Sequence, residues 1–248
     1  MWPYPQVVAH RGGGILAPEN TLAAMQCGLD YGFTAVEFDV MLSKDSVPVL
    51  MHDPEFGRTV SGVGKVADTL AADLLKMDAG QWFSEKFCGE RVPAYADVVR
   101  FCREHKIWMN VEIKPTPGTE AETGAVVARL SKALFADVAC SDVRNLPLFS
   151  SFSDDALVSA KLHAPDIPRG LLMDQVSEDW LERIAHTGAM ALHTNHRYLT
   201  PEMARTIRAA GYGLFCYTVN TVERADLIRG WGVDGFCTDR IDLIAADY

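Results

Sequence analysis

The sequence lacks the features that mark several whole classes of protein. It has no basic excess: 23 Lys and Arg stand against 33 Asp and Glu, a formal charge of −10 over 248 residues. That balance argues against a nucleic-acid binder, which carries a basic stripe, and against a polybasic surface for anionic lipid. No apolar run approaches the ~20 residues of a membrane-spanning helix, so no stable membrane association is expected. The opening Met1-Trp2-Pro3-Tyr4-Pro5 has neither the cationic start nor the apolar stretch of a signal peptide. Cys27, Cys88, Cys102, Cys140, Cys216 and Cys237 form no C-x-x-C pair, which suits buried thiols in a reducing compartment better than a disulfide framework. The expectation is a cytoplasmic protein. Low-complexity tracts, internal repeats and the G-x-G-x-x-G phosphate loop are also missing.

What is present is an ordinary globular composition, 48% hydrophobic and 23% charged. Short apolar runs alternate with helical patterns along the chain. Strands are expected at Val7–His10, Ala35–Leu42, Val47–Met51, Ile107–Lys114, Leu146–Ser150, Pro168–Leu172, Ala189–His193, Tyr212–Tyr217 and Val233–Cys237. Between them lie helices with readable ends. Asn20 is positioned to cap one, Thr119-x-x-Glu122 reads as a capping box, and Thr200-Pro201 puts proline at a first helical position. Tyr95, Val98, Val99 and Cys102 make one buried helical face.

Repeated strand-then-helix units imply parallel strands. With Val47–Met51 set aside as the return arm of a hairpin, eight strands remain, which favours a closed (β/α)8 TIM-like barrel over a doubly wound sheet. One barrel domain accounts for residues 1–248. The segment at about 54–92, rich in Gly, Asp and Ser and carrying Trp82, Phe83 and Phe87, reads as an insertion after the second strand and its hairpin. It falls on the face where barrel active sites lie.

The informative residues sit on strands, where side chains two apart share a face. In Ala35–Val40, Val36, Phe38 and Val40 face one way and Glu37 and Asp39 the other. In Asn110–Lys114, Val111 and Ile113 oppose Asn110, Glu112 and Lys114. Inside a barrel these charges are unfavourable unless they pair or bind a cation. Glu37, Asp39 and Glu112 form an all-oxygen set suited to Mg2+ or Ca2+; Zn2+ would recruit His10 or His52. The competing explanation is a salt-bridge network with Lys114 and Arg11. His10 and His52 each end a strand, and with a metal, Arg11 and Lys114 they fit phosphodiester cleavage. One imidazole would take the nucleophile's proton and the other protonate the leaving alkoxide. Gly12 to Gly14 would let backbone N–H groups approach an anion.

Together, His10-Arg11-Gly12, Pro18-Glu19-Asn20-Thr21, Glu37-x-Asp39, His52-Asp53, Glu112-Ile113-Lys114 and Val233-Asp234-Gly235-x-Cys237-Thr238-Asp239 resemble the glycerophosphodiester phosphodiesterase family in order and spacing, most of all its short cytosolic bacterial form. The resemblance implies a barrel that hydrolyses glycerophosphodiesters to sn-glycerol 3-phosphate and an alcohol. By matching motif, Glu37, Asp39 and Glu112 become metal ligands, His10 and His52 the acid–base pair, and Arg11 and Lys114 phosphate contacts. A neighbouring glycerol hydroxyl would attack first, giving a cyclic phosphate, with His10 as the first base and His52 as the first acid. Phe152, His193, Asn195, Tyr217 and Asn220 fall at or just past later strand ends and are candidate substrate contacts; Asn220 could instead cap the next helix. The rival readings are another barrel phosphodiesterase, such as a phospholipase, and a non-catalytic barrel that binds phosphodiesters.

Overall fold

The structure, a computed structural model, describes residues 2–248. Its elements run β1 (Val7–Ala9), α1 (Leu22–Asp30), β2 (Ala35–Leu42), β3 (Pro48–Leu50), α2 (Ala71–Leu74), α3 (Tyr95–Glu104), β4 (Trp108–Ile113), α4 (Glu120–Leu134) and β5 (Leu148–Ser151). They continue with α5 (Asp154–His163), β6 (Arg169–Met173), α6 (Trp180–Thr187), β7 (Ala191–Asn195), α7 (Pro201–Ala209), β8 (Gly213–Tyr217), α8 (Val222–Gly230) and β9 (Gly235–Thr238). Eight parallel strands pair in sequence from β2 and β4 round to β9 and β1, and Ala9 opposite Val36 closes the ring. The expected (β/α)8 barrel is therefore the fold. Strand β3 lies outside it, antiparallel to β2. Among the described residues no helix is long and apolar enough to cross a membrane.

Alternation along the strands divides the apolar residues into two cores. Val36, Phe38, Val111, Ile113, Phe149, Leu171, Leu192 and Leu214 point outward into a layer shared with the helices. There Tyr95, Val98, Val99 and Cys102 of α3 are buried as the spacing predicts. The inward core is smaller and joins Val8, Ala35, Trp108, Leu148, Ala191 and Phe215 to Trp2 and Tyr4, which precede β1. Tyr4 stacks on Trp108 with centroids 4.4 Å apart, and Trp2 stacks on Phe215 at 5.4 Å. Because Ala35 and Trp108 open their strands, this aromatic plug fills the N-terminal end of the barrel. The barrel interior is left open toward the opposite end.

Some local expectations give way to competing contacts. Thr21, not Asn20, caps α1, accepting from the Ala24 N–H at 3.1 Å. The capping box at Thr119 does not form. Its hydroxyl bonds the Thr116 carbonyl, and Glu122 reaches across to Ser46 in the β2–β3 turn at 2.6 Å. Thr200 and Pro201 start α7 as expected.

Residues 54–92 contain short helical turns and isolated bridges rather than a sheet. Val60, Val66, Leu74, Ala79 and Val92 pack against Met41, Val49 and Met51 of the hairpin, so the segment shares a small core with it. Glu90 accepts from the Ala23 N–H in the first turn of α1, and Asp45 from the Ala71 N–H at the start of α2. The Asp78 carboxylate gathers the N–H groups of Gly80, Gln81 and Gly89, which holds the turn carrying Trp82 and Phe83.

Candidate active site

Parity along β2 and β4, together with their register, assembles the acidic centre. Glu37 lies opposite Asn110 and Asp39 opposite Glu112, all on the inward face. One carboxylate oxygen from each of Glu37, Asp39 and Glu112 can be chosen so that all lie within 4.8 Å of one another. Burial, reinforced by the charge of Asp39, pushes Glu37 up to about 7 and Glu112 up to about 8. Burial also works against Asp39, but Lys114 and Arg11 outweigh it and hold its carboxyl well below the usual range. Lys114 Nζ lies 3.2 Å from Asp39 and 3.8 Å from Glu112, and Arg11 Nε lies 3.5 Å from Asp39. The salt-bridge explanation thus accounts for Asp39 and leaves two acids that resist ionisation. A hard divalent cation would supply what they lack, and an all-oxygen donor set suits one. The residues present fit such an ion.

Asn20 fixes this centre. Its backbone is left-handed (φ 58°), its amide N–H donates to Asp39 at 2.8 Å, and its carbonyl oxygen accepts from the Asp39 N–H at 3.0 Å.

Each histidine has its own carboxylate. His10 Nδ1 is 2.6 Å from Asp239 Oδ1, and His52 Nδ1 is 2.6 Å from Asp53 Oδ1. An ionised carboxylate only accepts, so each pairing puts the proton on Nδ1 and leaves Nε2 free toward the cleft. His10 Nε2 lies 3.7 Å from Glu37. Burial opposes protonation of His10, but the Asp239 hydrogen bond and the Glu37 charge prevail and raise it. Burial lowers His52, with Arg11 and Lys114 countering the pull of Asp39.

The two pairs are tied together through the inserted segment. Arg11 donates to Glu19 at 2.7 Å. Arg58 grips the same carboxylate with two N–H groups, at 2.6 and 2.8 Å, and donates through Nε to Asp53 at 2.5 Å. Of the three glycines after Arg11, Gly12 and Gly14 turn their N–H groups to the chain rather than to an anion, Gly12 to the Ala9 carbonyl at 3.4 Å. The N–H of Gly14 is spent on the His10 carbonyl, and a Cβ there would come within 2.1 Å of the Asp239 carbonyl oxygen. Gly14 lets the loop lie against the segment that carries Asp239.

The cleft above the plug measures about 190 Å3 and takes its other wall from β5 to β8: Ser150, Phe152, Leu172, His193, Phe215 and Tyr217. This wall is neutral. Asn110 Oδ1, Ser150 Oγ, both ring nitrogens of His193 and the Tyr217 hydroxyl are buried without a hydrogen-bond partner. Burial alone takes His193 down to about 3, so the ring is neutral. It fits because β6 carries Gly170 beside it, where a Cβ would approach Nε2 to 2.4 Å. Unpaired buried polar atoms cost about 1–3 kcal/mol each, so their convergence on one cleft describes a surface complete only with a polar guest. A larger groove of about 560 Å3 lies at the other end of the barrel, beside Pro3, Pro5 and Trp108. There Arg103 is spent on Asp137 and the Leu134 carbonyl, and no comparable set of acids and histidines converges among the described residues.

A family model, that of the glycerophosphoryl diester phosphodiesterase family, matches residues 10–243. The chain belongs to this family. It is 32% identical over 235 residues to a glycerophosphodiester phosphodiesterase of Caldanaerobacter subterraneus, covering 94% of this chain and 93% of that protein. A Bacillus subtilis glycerophosphodiester phosphodiesterase is 30% identical, with 95% and 84% covered. An Oleispira antarctica phosphodiesterase solved with the product sn-glycerol-3-phosphate has a TM-score of 0.87 at 35% identity, covering 95% of this chain and 93% of that one. As a member of the family this phosphodiesterase is an enzyme, a phosphoric diester hydrolase whose substrates are small glycerophosphodiesters.

In this phosphodiesterase His10, Arg11, Glu37, Glu112, Lys114, His52, Phe152, His193 and Tyr217 all line one cleft, and Asp39 lies beneath it. Two of the residues expected at the rim serve elsewhere. Asn195 does not line the cleft; its amide donates to Asp174 and its carbonyl oxygen accepts from the Arg197 N–H. Asn220 neither lines the cleft nor caps α8, which Thr221 does. Its amide donates to Asp239 Oδ2 at 2.9 Å, steadying the partner of His10. The roles of Asp239, Asp53, Glu19, Arg58 and Asn20 escape a reading by strand parity. Asp53, Glu19 and Asn20 are signalled only by adjacency, in His52-Asp53 and Pro18-Glu19-Asn20-Thr21, Asp239 only as the end of Val233-Asp234-Gly235-x-Cys237-Thr238-Asp239, and Arg58 by no motif.

Proposed function

We propose that the enzyme hydrolyses glycerophosphodiesters by two-histidine acid–base catalysis beside a divalent cation, releasing sn-glycerol 3-phosphate and an alcohol through a cyclic phosphate. The carrying observation is the meeting of three carboxylates within 4.8 Å, two buried and one half-buried, flanked by two histidines that each have their own acidic partner. Glu37, Asp39 and Glu112 would hold the cation, Mg2+ or Ca2+, which when bound draws charge from a phosphoryl oxygen. Arg11 and Lys114 neutralise the remaining phosphoryl charge.

In the first step His10 Nε2 takes the proton of the glycerol hydroxyl next to the phosphate. That oxygen bonds to phosphorus, the bond to the alcohol breaks, and His52 protonates the departing oxygen. In the second step His52 takes a proton from water, the water oxygen bonds to phosphorus, the ring P–O bond opens, and His10 returns its proton to the freed glycerol oxygen. Asp239 and Asp53 keep both imidazoles oriented throughout. In the bare charge set His10 is the more basic of the pair, which would suit the reverse order. Neutralising Glu37 removes one of the influences that raise it, so we retain His10 as the first base. Phe152, His193 and Tyr217 are assigned to the glycerol side of the substrate. We also propose that the barrel and residues 54–92 work as one catalytic unit, and that the enzyme works in the cytoplasm, where its unpaired cysteines remain reduced.

The test is incubation with glycerophosphocholine and Mg2+ or Ca2+, followed by a coupled glycerol 3-phosphate assay and 31P NMR. Glycerol 3-phosphate and a transient cyclic phosphate are expected, both lost on chelation. Choline phosphate as product, or a rate indifferent to chelator, would overturn the reading.

A further inference from the structure

We propose that a second hollow beside the catalytic cleft is the leaving-alcohol subsite, and that Trp82, Phe83 and Ile15 make it favour a methyl-rich head group, chemically a trimethylammonium alcohol, over a polar one such as glycerol. The inference rests on the phosphodiesterase reading above and deepens it.

The hollow measures about 410 Å3 and shares His10 and Arg11 with the 190 Å3 cleft, so the two adjoin at residues assigned to proton transfer and phosphate. A phosphodiester has two arms. The smaller, polar cleft, with its unpaired hydroxyl, amide and imidazole groups, matches a glycerol arm. The departing oxygen stays in the cleft, which His52 also lines, and only the head group beyond it extends past Arg11 into this hollow.

Its lining is unlike that of the cleft. Trp82 is 41% exposed and Ile15 53% exposed, and Phe83 stands edge-on to Trp82 at 5.6 Å. Open apolar side chains beside a polar active site mark a surface meant to be covered. The Trp82 N–H is already spent on the Ala79 carbonyl, so the ring offers only its faces and edges to a ligand. The ring is also held in place, by the Asp78-bound turn and by Arg58, whose guanidinium lies 5.9 Å from the ring centroid. Beyond the phosphate end, the ionised groups lining the hollow are the carboxylates Glu19 and Asp239, and no lysine lines it. Both carboxylates already have partners, in Arg11 and Arg58 for Glu19 and in His10 and Asn220 for Asp239. Recognition therefore falls to the aromatic and aliphatic faces. Methyl groups gain from covering such faces, and an organic cation gains further from the π-system, whereas a glycerol arm would leave its hydroxyls facing hydrocarbon.

The test compares kcat/KM for glycerophosphocholine and glycerophosphoglycerol, read as glycerol 3-phosphate release, in the wild type, Trp82→Ala, Trp82→Phe and Ile15→Ser. The wild type should prefer the choline ester. Trp82→Ala should lower the choline-to-glycerol ratio about fivefold to tenfold, carried mainly by KM. Trp82→Phe should recover most of it, and Ile15→Ser should shift it in the same direction by less. Using the ratio cancels any disturbance of Arg58 that slows both esters equally. A ratio within twofold of wild type in Trp82→Ala overturns the subsite while leaving the phosphodiesterase reading intact. Release of glycerol 3-phosphate from neither ester by the wild type overturns both.

Discussion

The cleft has two walls built on opposite principles. On the β1, β2 and β4 side the acids and bases answer one another: His10 with Asp239, Asp39 with Lys114, Arg11 and Asn20, Arg11 with Glu19, and Asn110 of β4 is the neutral, unpaired group among them. On the β5 to β8 side the polar groups are neutral, and several have no partner at all. Charges confined in a barrel must answer one another, which fixes their geometry in advance of any ligand. Neutral groups can remain unsatisfied at a smaller cost, and that residual capacity is what a substrate can use. In the proposed reaction the first wall would serve the chemistry and the second recognition.

The largest effect should come from breaking the charged wall at the centre. Glu112→Gln is expected to abolish measurable turnover while far-UV circular dichroism stays native. A cation should also stop raising Tm in this variant. In the wild type that rise should itself depend on pH. Glu37 and Glu112 are raised above the ordinary carboxylate value, so the folded metal-free protein holds protons that the unfolded chain has released. The stability this provides is complete below about 4.5 and is lost as pH climbs through about 7 and 8. A divalent cation should therefore raise Tm more at pH 8 than at pH 5, and an equal rise at both would remove these carboxylates from the cation site.

An intermediate effect is expected from the histidines. His10→Ala and His52→Ala should each slow turnover by roughly 10²–10⁴-fold. With a good leaving group such as p-nitrophenolate in place of the alcohol, the loss in His52→Ala should shrink while that in His10→Ala persists. Rescue of His10→Ala instead would exchange their roles.

The smallest effect belongs to the neutral wall and sharpens the contrast. Tyr217→Phe removes a buried hydroxyl that has no partner, so stability should stay level or rise. KM should rise by about threefold to tenfold, on the scale of one hydrogen bond. A clear fall in Tm would show that the hydroxyl is already satisfied in the free enzyme.

How legible this was in the sequence depends on the range of the interaction. Strand parity alone put Glu37, Asp39, Glu112 and Lys114 on one inward face, because that periodicity is local. The partner of His10 lies 229 residues away, and no spacing rule joins His10 to Asp239. Asn20 looked like a helix cap because the same short amide suits a cap and a left-handed turn, and only the proximity of Asp39 separates the two. Asn195 looked like a rim residue because β7 was expected to end at His193. The strand runs on to Asn195, which leaves His193 inside the barrel and takes Asn195 past the cleft. Trp2 and Tyr4 carried no periodic signal, and their packing appears only once the strands have closed around them.

That packing has a kinetic consequence. With Trp2, Tyr4 and Trp108 sealing the base, the catalytic chamber is a blind well, and everything that enters by the rim leaves by the rim. The product fragment seated deepest departs last. In the proposed reaction the alcohol would diffuse away first, and the glycerol phosphate formed from the cyclic intermediate would leave last, from the place of the next substrate. Added glycerol 3-phosphate is therefore expected to inhibit competitively.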